Sequence, residues 1–423
     1  MDDKARERAS DLPVGTPLAG EPIVVKDNIA TAGVATTAGS QLLATYVPTE
    51  NATVVQRLED AGGIVIAKAN LDELGMGATG ETSAYGATKH PTQEALVPGG
   101  SSSGSAAAVA AGVARVALGT DTGGSVRQPA AFCRVYGYKP TYGVIPRTGV
   151  IPYTSTLDSV GLITAELNDI ARIAPILAGA DGADDTVRIA DWDDLPEPKT
   201  GRPTLGIVKQ FADFVDGEMA EWWHAHVQSL QGEYDVVEVD IPLASHTTAL
   251  YIIIANTEGA SNFARLTGML FGQSVANEQD GQEAAIIANR SALLGSEAKK
   301  RIIVGTHLLG HEQYASKVVP AMRLREQLRE QMATAFTQVD ALITPTVNRD
   351  PFTLGEDRSV IELRHTLGDR MLNLANLAGC CAISIPGTGE TYRGVQVVAG
   401  AMGDRQLLAV AELLDAQWRT AGA

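Results

Sequence analysis

Between residues 20 and 70 the chain carries a pattern that leaves few ways to fold. The apolar run PIVV ends at Lys26 and reads as a short buried strand entering a polar turn, Asp27-Asn28. ENATVVQRLEDAG then sets Val54, Val55, Leu58 and Ala61 on one side of a helix, with Asn51 as its N-cap. GIVIAKAN returns to strand. Such a strand–helix–strand unit belongs to an α/β sheet.

The pattern continues. A glycine-rich stretch (98–105) enters the alanine-rich helix SAAAVAAGVA, followed by the strand-like VALGT and the turn DTGGS. The acidic, proline-bearing segment 185–204 reads as a loop or sub-domain boundary. LGIVK and DVVEVDIP are expected as strands around a helix, and residues 245–338 as mostly helical. ALITPT, CAISIP and GVQVVAG read as closing strands, with a terminal helix from about Arg405. The expected organisation is a single domain over 1–423. A core occupies about 20–170, a helical excursion about 205–340, and closing strands and a helix 341–423.

The formal charge of −17 argues against this chain gripping nucleic acid itself, because phosphate binding needs a basic surface. Three cysteines, Cys133, Cys380 and Cys381, lie in apolar runs and read as reduced, buried thiols rather than a disulfide framework. The opening MDDKARERASDLP has no apolar core of a signal peptide, and the longest apolar stretches fall short of a membrane span. The expectation is a cytoplasmic protein with no membrane contact.

Three elements can carry chemistry, and each also has a plain structural reading. Ser125 ends GTDTGGS, a turn directly after an apolar strand. Two glycines there let backbone N–H groups converge, as an oxyanion hole requires, although a glycine turn with an exposed serine fits equally. PGGSSSGS (98–105) reads as a loop capping the alanine helix. It also matches G-x-S-x-G, which would make Ser102 a nucleophile. That elbow needs a strand immediately before it, and HPTQEALVPGG is not one. Lys26 at the mouth of a buried strand is either ordinary surface or a partly desolvated amine able to act as a base. Metal-ligand spacings, phosphate loops and dinucleotide fingerprints are absent from the sequence, and no histidine has a catalytic context. A lysine–serine mechanism is what remains.

Taken together, GGSSSGSAAAVAAGVARVALGTDTGGSVRQPAAFCRVYGYKPTYG (99–143) resembles the amidase-signature family. The resemblance implies that family's fold, a large mixed β-sheet flanked by helices on both faces. It also implies Ser125 as acyl-ester nucleophile, Ser101 as a bridging serine after a cis peptide bond, and Lys26 as general base. The backbone N–H groups of Thr122, Gly123, Gly124 and Ser125 would line the oxyanion hole. Ser103 and Arg134 stand where glycines are usual.

Within the family the chain is most similar to the glutamine-hydrolysing subunits of tRNA-dependent amidotransferases. This rests on NLDELGMGATGETSAYGATKHP (70–91), ALYIIIANTEGASNFARLTG (249–268), EAKKRIIVGTHLLG (297–310) and NLAGCCAISIP (376–386). That likeness implies glutamine as the small-molecule amide, with Arg301 clamping its α-carboxylate and Asp369 pairing its α-ammonium. It further implies B-type and C-type partner subunits, tRNA held mainly through the partner, and no cofactor in this chain, with ATP and Mg²⁺ at a partner. Two other readings stand beside it: a free-standing amidase acting on another small amide or a carbamate, and a non-catalytic scaffold.

Overall fold

The computed structural model describes residues 5–356 and 370–421, apart from 14, 216, 278, 280 and 390. Ten strands build one sheet: β1 (Pro22–Lys26), β2 (Ile64–Ala69), β3 (Val116–Asp121), β4 (Tyr136–Lys139), β5 (Ser159–Thr164), β6 (Thr204–Val208), β7 (Asp235–Val239), β8 (Ala341–Pro345), β9 (Cys381–Pro386) and β10 (Gly394–Ala399). Their order is β2-β1-β3-β5-β4-β9-β10-β8-β6-β7. Parallel pairing joins β2, β1 and β3 at one end and β8, β6 and β7 at the other, with antiparallel pairing between. The sheet is therefore mixed, as the resemblance implied.

Both faces are covered. Side chains alternate along each strand, so Ile23 and Val25 join one apolar cluster while Val24 joins another. The helices Thr53–Asp60 and Asp404–Ala421 pack on the first face through residues such as Leu58 and Leu407. On the second face lie Ser103–Ala110, through Ala106 and Val109, and Val319–Ala335, through Leu328 and Met332. This explains why β3, β5, β8 and β10 are buried at every position. All three cysteines are free and buried. Among the described residues no helix is long and apolar enough to cross a membrane.

The expected strand–helix–strand unit is present, with β1 and β2 in parallel register. Its cap differs from expectation. The N-cap is Ala52, because the Asn51 side chain is already committed: its Oδ1 accepts from Ala32 N–H at 2.8 Å and its Nδ2 donates to Glu59 Oε2 at 2.9 Å. The alanine helix also ends earlier than its composition suggested, at Ala110. Gly112 adopts a left-handed φ of 72° there, and Val113 N–H and Gly112 N–H close back on Ala108 and Val109 carbonyls.

Two strands, β4 and β5, went unread in the sequence. Glycine breaks the apolar run in each, and Gly137 has a packing reason. A Cβ there would sit 2.6 Å from Ala130 Cβ and 2.8 Å from the Val126 carbonyl, because the helix Arg127–Phe132 lies directly on the strand. Arg134, with φ 59°, occupies a left-handed position after that helix, which is why glycine suits it better.

Candidate active site

β1 and β3 run parallel, so their carboxyl ends deliver Lys26 and the turn after Asp121 to the same edge of the sheet. Lys26 is fully buried there. Its Nζ donates to Ser101 Oγ and to Thr120 Oγ1, both at 2.8 Å, and lies 3.4 Å from the Thr120 carbonyl. Burial pulls its ammonium from the usual 10.5 down to about 7, although Asp72, Asp121 and Asp158 all favour the charge. A neutral amine has two N–H groups and one lone pair. With both Thr120 oxygens as acceptors, the lone pair is left to face the Ser101 hydroxyl.

Ser101 follows a cis Gly100–Ser101 bond and is buried. Its segment is tied to the DTGGS turn by Ser102 N–H, which donates to the Ser125 carbonyl at 3.1 Å, and to the helix that follows the turn by Gly100 N–H, which donates to Gln128 Oε1 at 3.0 Å. A Cβ on Gly100 would fall 2.0 Å from Asp72 Oδ2, so only glycine fits. Ser102 is buried, its hydroxyl donates to the Thr120 carbonyl at 3.2 Å, and no strand precedes it. A nucleophile elbow at Ser102 has neither its strand nor an open hydroxyl.

The turn itself is fastened from below by an ion pair with no solvent exposure. Arg127 donates to both oxygens of Asp121, at 2.9 and 3.0 Å, and also to Asn376 Oδ1 and the Leu372 carbonyl. This neighbour holds the Asp121 carboxyl well below the usual carboxylate range, against the pull of burial. Asp121 also accepts Gly124 N–H at 2.9 Å and Val126 N–H at 3.1 Å. Gly124 is thereby removed from the expected oxyanion donors, since its amide is already engaged. Among the described residues the amides of Gly123 and Ser125 have no acceptor, and both residues line the cavity. Thr122 turns its hydroxyl to Asp158 at 2.6 Å.

That cavity measures about 290 Å³. Gly123 and Gly124 form its floor because neighbours press on them: added Cβ atoms would lie 2.6 Å from the Tyr251 ring and 2.6 Å from Leu372 Cδ1. Asn373 Nδ2 holds the Gly123 carbonyl at 2.9 Å. Ile252, Val304 and Leu372 give an apolar wall, while Glu297, Lys300 and Arg301 bring charge to it. Arg301 donates from Nε to Glu297 Oε1 at 2.7 Å and from Nη1 to the Tyr153 hydroxyl at 3.4 Å. The structure thus brings Gly100, Gly123, Ser125 and Arg301 to the lining of one cavity, while Lys26 and Ser101 are buried and outside that lining; Asp369 lies outside the described residues.

Sequence reasoning assigned no role to Asp121, Arg127, Tyr153, Asp158, Tyr251, Glu297 or Asn373. Glu297 was findable, as it stands four residues before Arg301 on one helix face. Tyr251 and Asn373 carried no local signal, since their approach to the glycines is made across the fold.

Known proteins resemble this chain over most of its length. The A-type subunit of glutamyl-tRNA(Gln) amidotransferase from Natronomonas pharaonis is 40% identical over 420 residues, spanning 94% of this chain and 96% of that protein. The crystal structure of the corresponding A-type subunit from Thermotoga maritima matches with a TM-score of 0.77 at 34% identity, covering 92% of this chain and 81% of that one. A 6-aminohexanoate cyclic dimer hydrolase solved with its substrate matches with a TM-score of 0.81 at 26% identity, covering 98% and 88% of the two chains. The model of one family, Amidase, matches residues 1–408. With nearly its whole length matched and a buried lysine–serine pair beside a glycine-floored cavity, this chain belongs to the amidase family.

Proposed function

We propose that the chain hydrolyses the side-chain amide of glutamine through an acyl-enzyme on Ser125 and passes the ammonia to a partner that amidates Glu-tRNA(Gln) or Asp-tRNA(Asn). The observation that carries the chemistry is the buried Lys26–Ser101 contact at 2.8 Å, in a segment held to the Ser125 carbonyl by Ser102 N–H. Neutral Lys26 takes the proton of Ser101 as Ser101 takes that of Ser125, and Ser125 Oγ bonds to the amide carbon. The oxyanion faces the amides of Gly123 and Ser125, with Thr122 behind them. Collapse breaks the C–N bond while the proton returns through Ser101 to the leaving nitrogen. Water then cleaves the ester, giving glutamate.

Substrate choice rests on Arg301, whose guanidinium keeps N–H groups beyond those used by Glu297 and Tyr153 and can take an α-carboxylate. The names of the two amidotransferase relatives support glutamine and a tRNA-dependent assembly. In that assembly B-type and C-type subunits would hold the tRNA, ATP and Mg²⁺, which suits a chain of charge −17, and the cytoplasm is where charged tRNA is met. The decisive experiment is ammonia release from glutamine, with and without candidate partners and charged tRNA. No release under any of these conditions would overturn the reading.

A free-standing amidase is the second reading. It is favoured by the apolar wall of Ile252, Val304 and Leu372 and by the likeness to 6-aminohexanoate cyclic dimer hydrolase. Steady hydrolysis of aliphatic or aryl amides by the isolated chain, without glutamine turnover, would select it.

Two results are expected on the first reading. Below about pH 7 Lys26 holds its proton and cannot accept another, so kcat/KM should climb with pH through about 7 and level off above it. A rate that falls over this interval would contradict a neutral lysine base. Arg301→Ala should cost about 2–3 kcal/mol in kcat/KM for glutamine, the worth of a hydrogen bond to a charged group with its desolvated partner. Much less should be lost on an amide without an α-carboxylate. Equal losses on the two substrates would remove Arg301 from substrate recognition.

A further inference from the structure

Tyr153 and Asp158 lie outside the cavity lining, yet they touch what stands at both of its ends. Asp158 is buried and all of its hydrogen bonds are directional: Oδ1 accepts from Thr122 Oγ1 at 2.6 Å, and Oδ2 accepts Tyr153 N–H at 2.8 Å and Thr154 N–H at 3.0 Å. Thr122 immediately precedes Gly123, so this carboxylate anchors the entry to the oxyanion turn. Burial pushes its carboxyl up to about 6 despite these donors, with Arg147 opposing the shift and Lys26 also within reach of its charge.

At the other end the Tyr153 hydroxyl accepts from Arg301 Nη1 at 3.4 Å and donates to Asn256 Oδ1 at 3.3 Å. The ring between these ends cannot turn freely. It stacks on Phe263 with an interplanar angle of 5°, and a Cβ at Gly259 would sit 2.7 Å from it. These contacts run without a gap from the Arg301 guanidinium through the Tyr153 side chain and backbone N–H to Asp158 and Thr122. The Arg301–Tyr153 link is the longest of the series and so the one most readily altered when an anion draws on the guanidinium.

We propose that Tyr153 and Asp158 are positioning residues that couple capture of a substrate carboxylate at Arg301 to placement of the Gly123 and Ser125 amides. This rests on the reading that Arg301 takes the α-carboxylate. Coupling of this kind appears in kcat rather than KM, because small displacements of oxyanion donors act on the transition state.

The test measures kcat and KM separately for glutamine and for 4-aminobutyramide, which is glutamine without its α-carboxylate. In the unaltered enzyme glutamine should have the higher kcat. Tyr153→Phe removes one hydroxyl and should lower kcat for glutamine about 10-fold, with a much smaller fall for 4-aminobutyramide. Asp158→Asn keeps the shape and, with its amide oxygen on the two backbone N–H groups, turns an NH₂ to Thr122 Oγ1, so that the charge is lost and the threonine hydroxyl must accept instead of donate; it should compress the same ratio of kcat values. The double variant should compress it no further than Asp158→Asn alone, as links in series do. Equal kcat losses on both substrates, or a rise in glutamine KM with kcat unchanged, would overturn the coupling and leave the Arg301 reading standing. Equal kcat for the two substrates in the unaltered enzyme would likewise overturn the coupling, whereas equal kcat/KM for the two would remove the Arg301 reading, and the coupling with it. Should Asp158→Asn fail to fold, Tyr153→Phe alone decides.

Discussion

Replacing Ser125 by alanine is expected to lower ammonia release by about 10⁴-fold or more, the scale on which loss of an acylating nucleophile is felt. The residual rate would come from the oxyanion amides and substrate binding alone. The substitution removes one oxygen from a half-buried position on the cavity floor, so the fold should be unaffected. Two measurements check it together. Steady-state ammonia release gives the rate, and mass spectrometry of enzyme quenched during turnover gives the acyl adduct, which should vanish. A Ser125→Ala protein that keeps substantial turnover would end the acyl-enzyme mechanism. Retention of the adduct would move the nucleophile elsewhere, and Ser101 would then be the next residue to replace.

Arg127→Leu is expected to cost about 3–5 kcal/mol of stability, because it leaves the Asp121 carboxylate buried without its partner. Both side chains are wholly enclosed, and Arg127 also serves Asn376, Gln396 and the Leu372 carbonyl. Activity should fall with stability, since Asp121 fixes the amides of Gly124 and Val126 on either side of Ser125. Adding Asp121→Asn to Arg127→Leu should recover part of the loss: the amide oxygen can still accept backbone N–H, and no uncompensated charge remains. Urea unfolding of the unaltered chain, the single variant and the double variant measures this. A single variant within about 0.5 kcal/mol of the unaltered protein would show that the pair is dispensable.

How much of this was legible in the sequence follows from how local each feature is. β1, β2, β3 and the DTGGS turn are specified by neighbouring residues, and the sequence shows them. Placing Lys26, Ser101 and Ser125 in one site needed the family likeness across residues 20–145, because nothing in the spacing of 26, 101 and 125 relates them. Gly137 and Gly161 hid β4 and β5: each glycine answers to a close neighbour, Ala130 in one case and the Tyr138 carbonyl in the other, and not to the strand's own pattern. The Asn51 cap failed for a related reason, since a partner far off in sequence, Ala32, took the side chain. The cavity wall was the least legible part. Tyr251 and Leu372 meet the two glycines from helices far away in sequence, Thr247–Phe263 and Arg370–Ala378.

The glycine floor at 123 and 124 has a consequence for how such a chain can change its diet. The residues that break the bond come from segments between Lys26 and Asp158, whereas the side chains pressing on the floor come from 251 and 372, with 252, 297, 301 and 304 beside them. The cutting machinery and the gauge that admits a substrate are thus written in separate stretches of sequence and press closest at two Cβ-less positions. Substitutions along the helices Thr247–Phe263 and Ser296–Leu309 can refit the gauge for a different acyl group while the lysine, the two serines and their anchoring ion pair stay untouched.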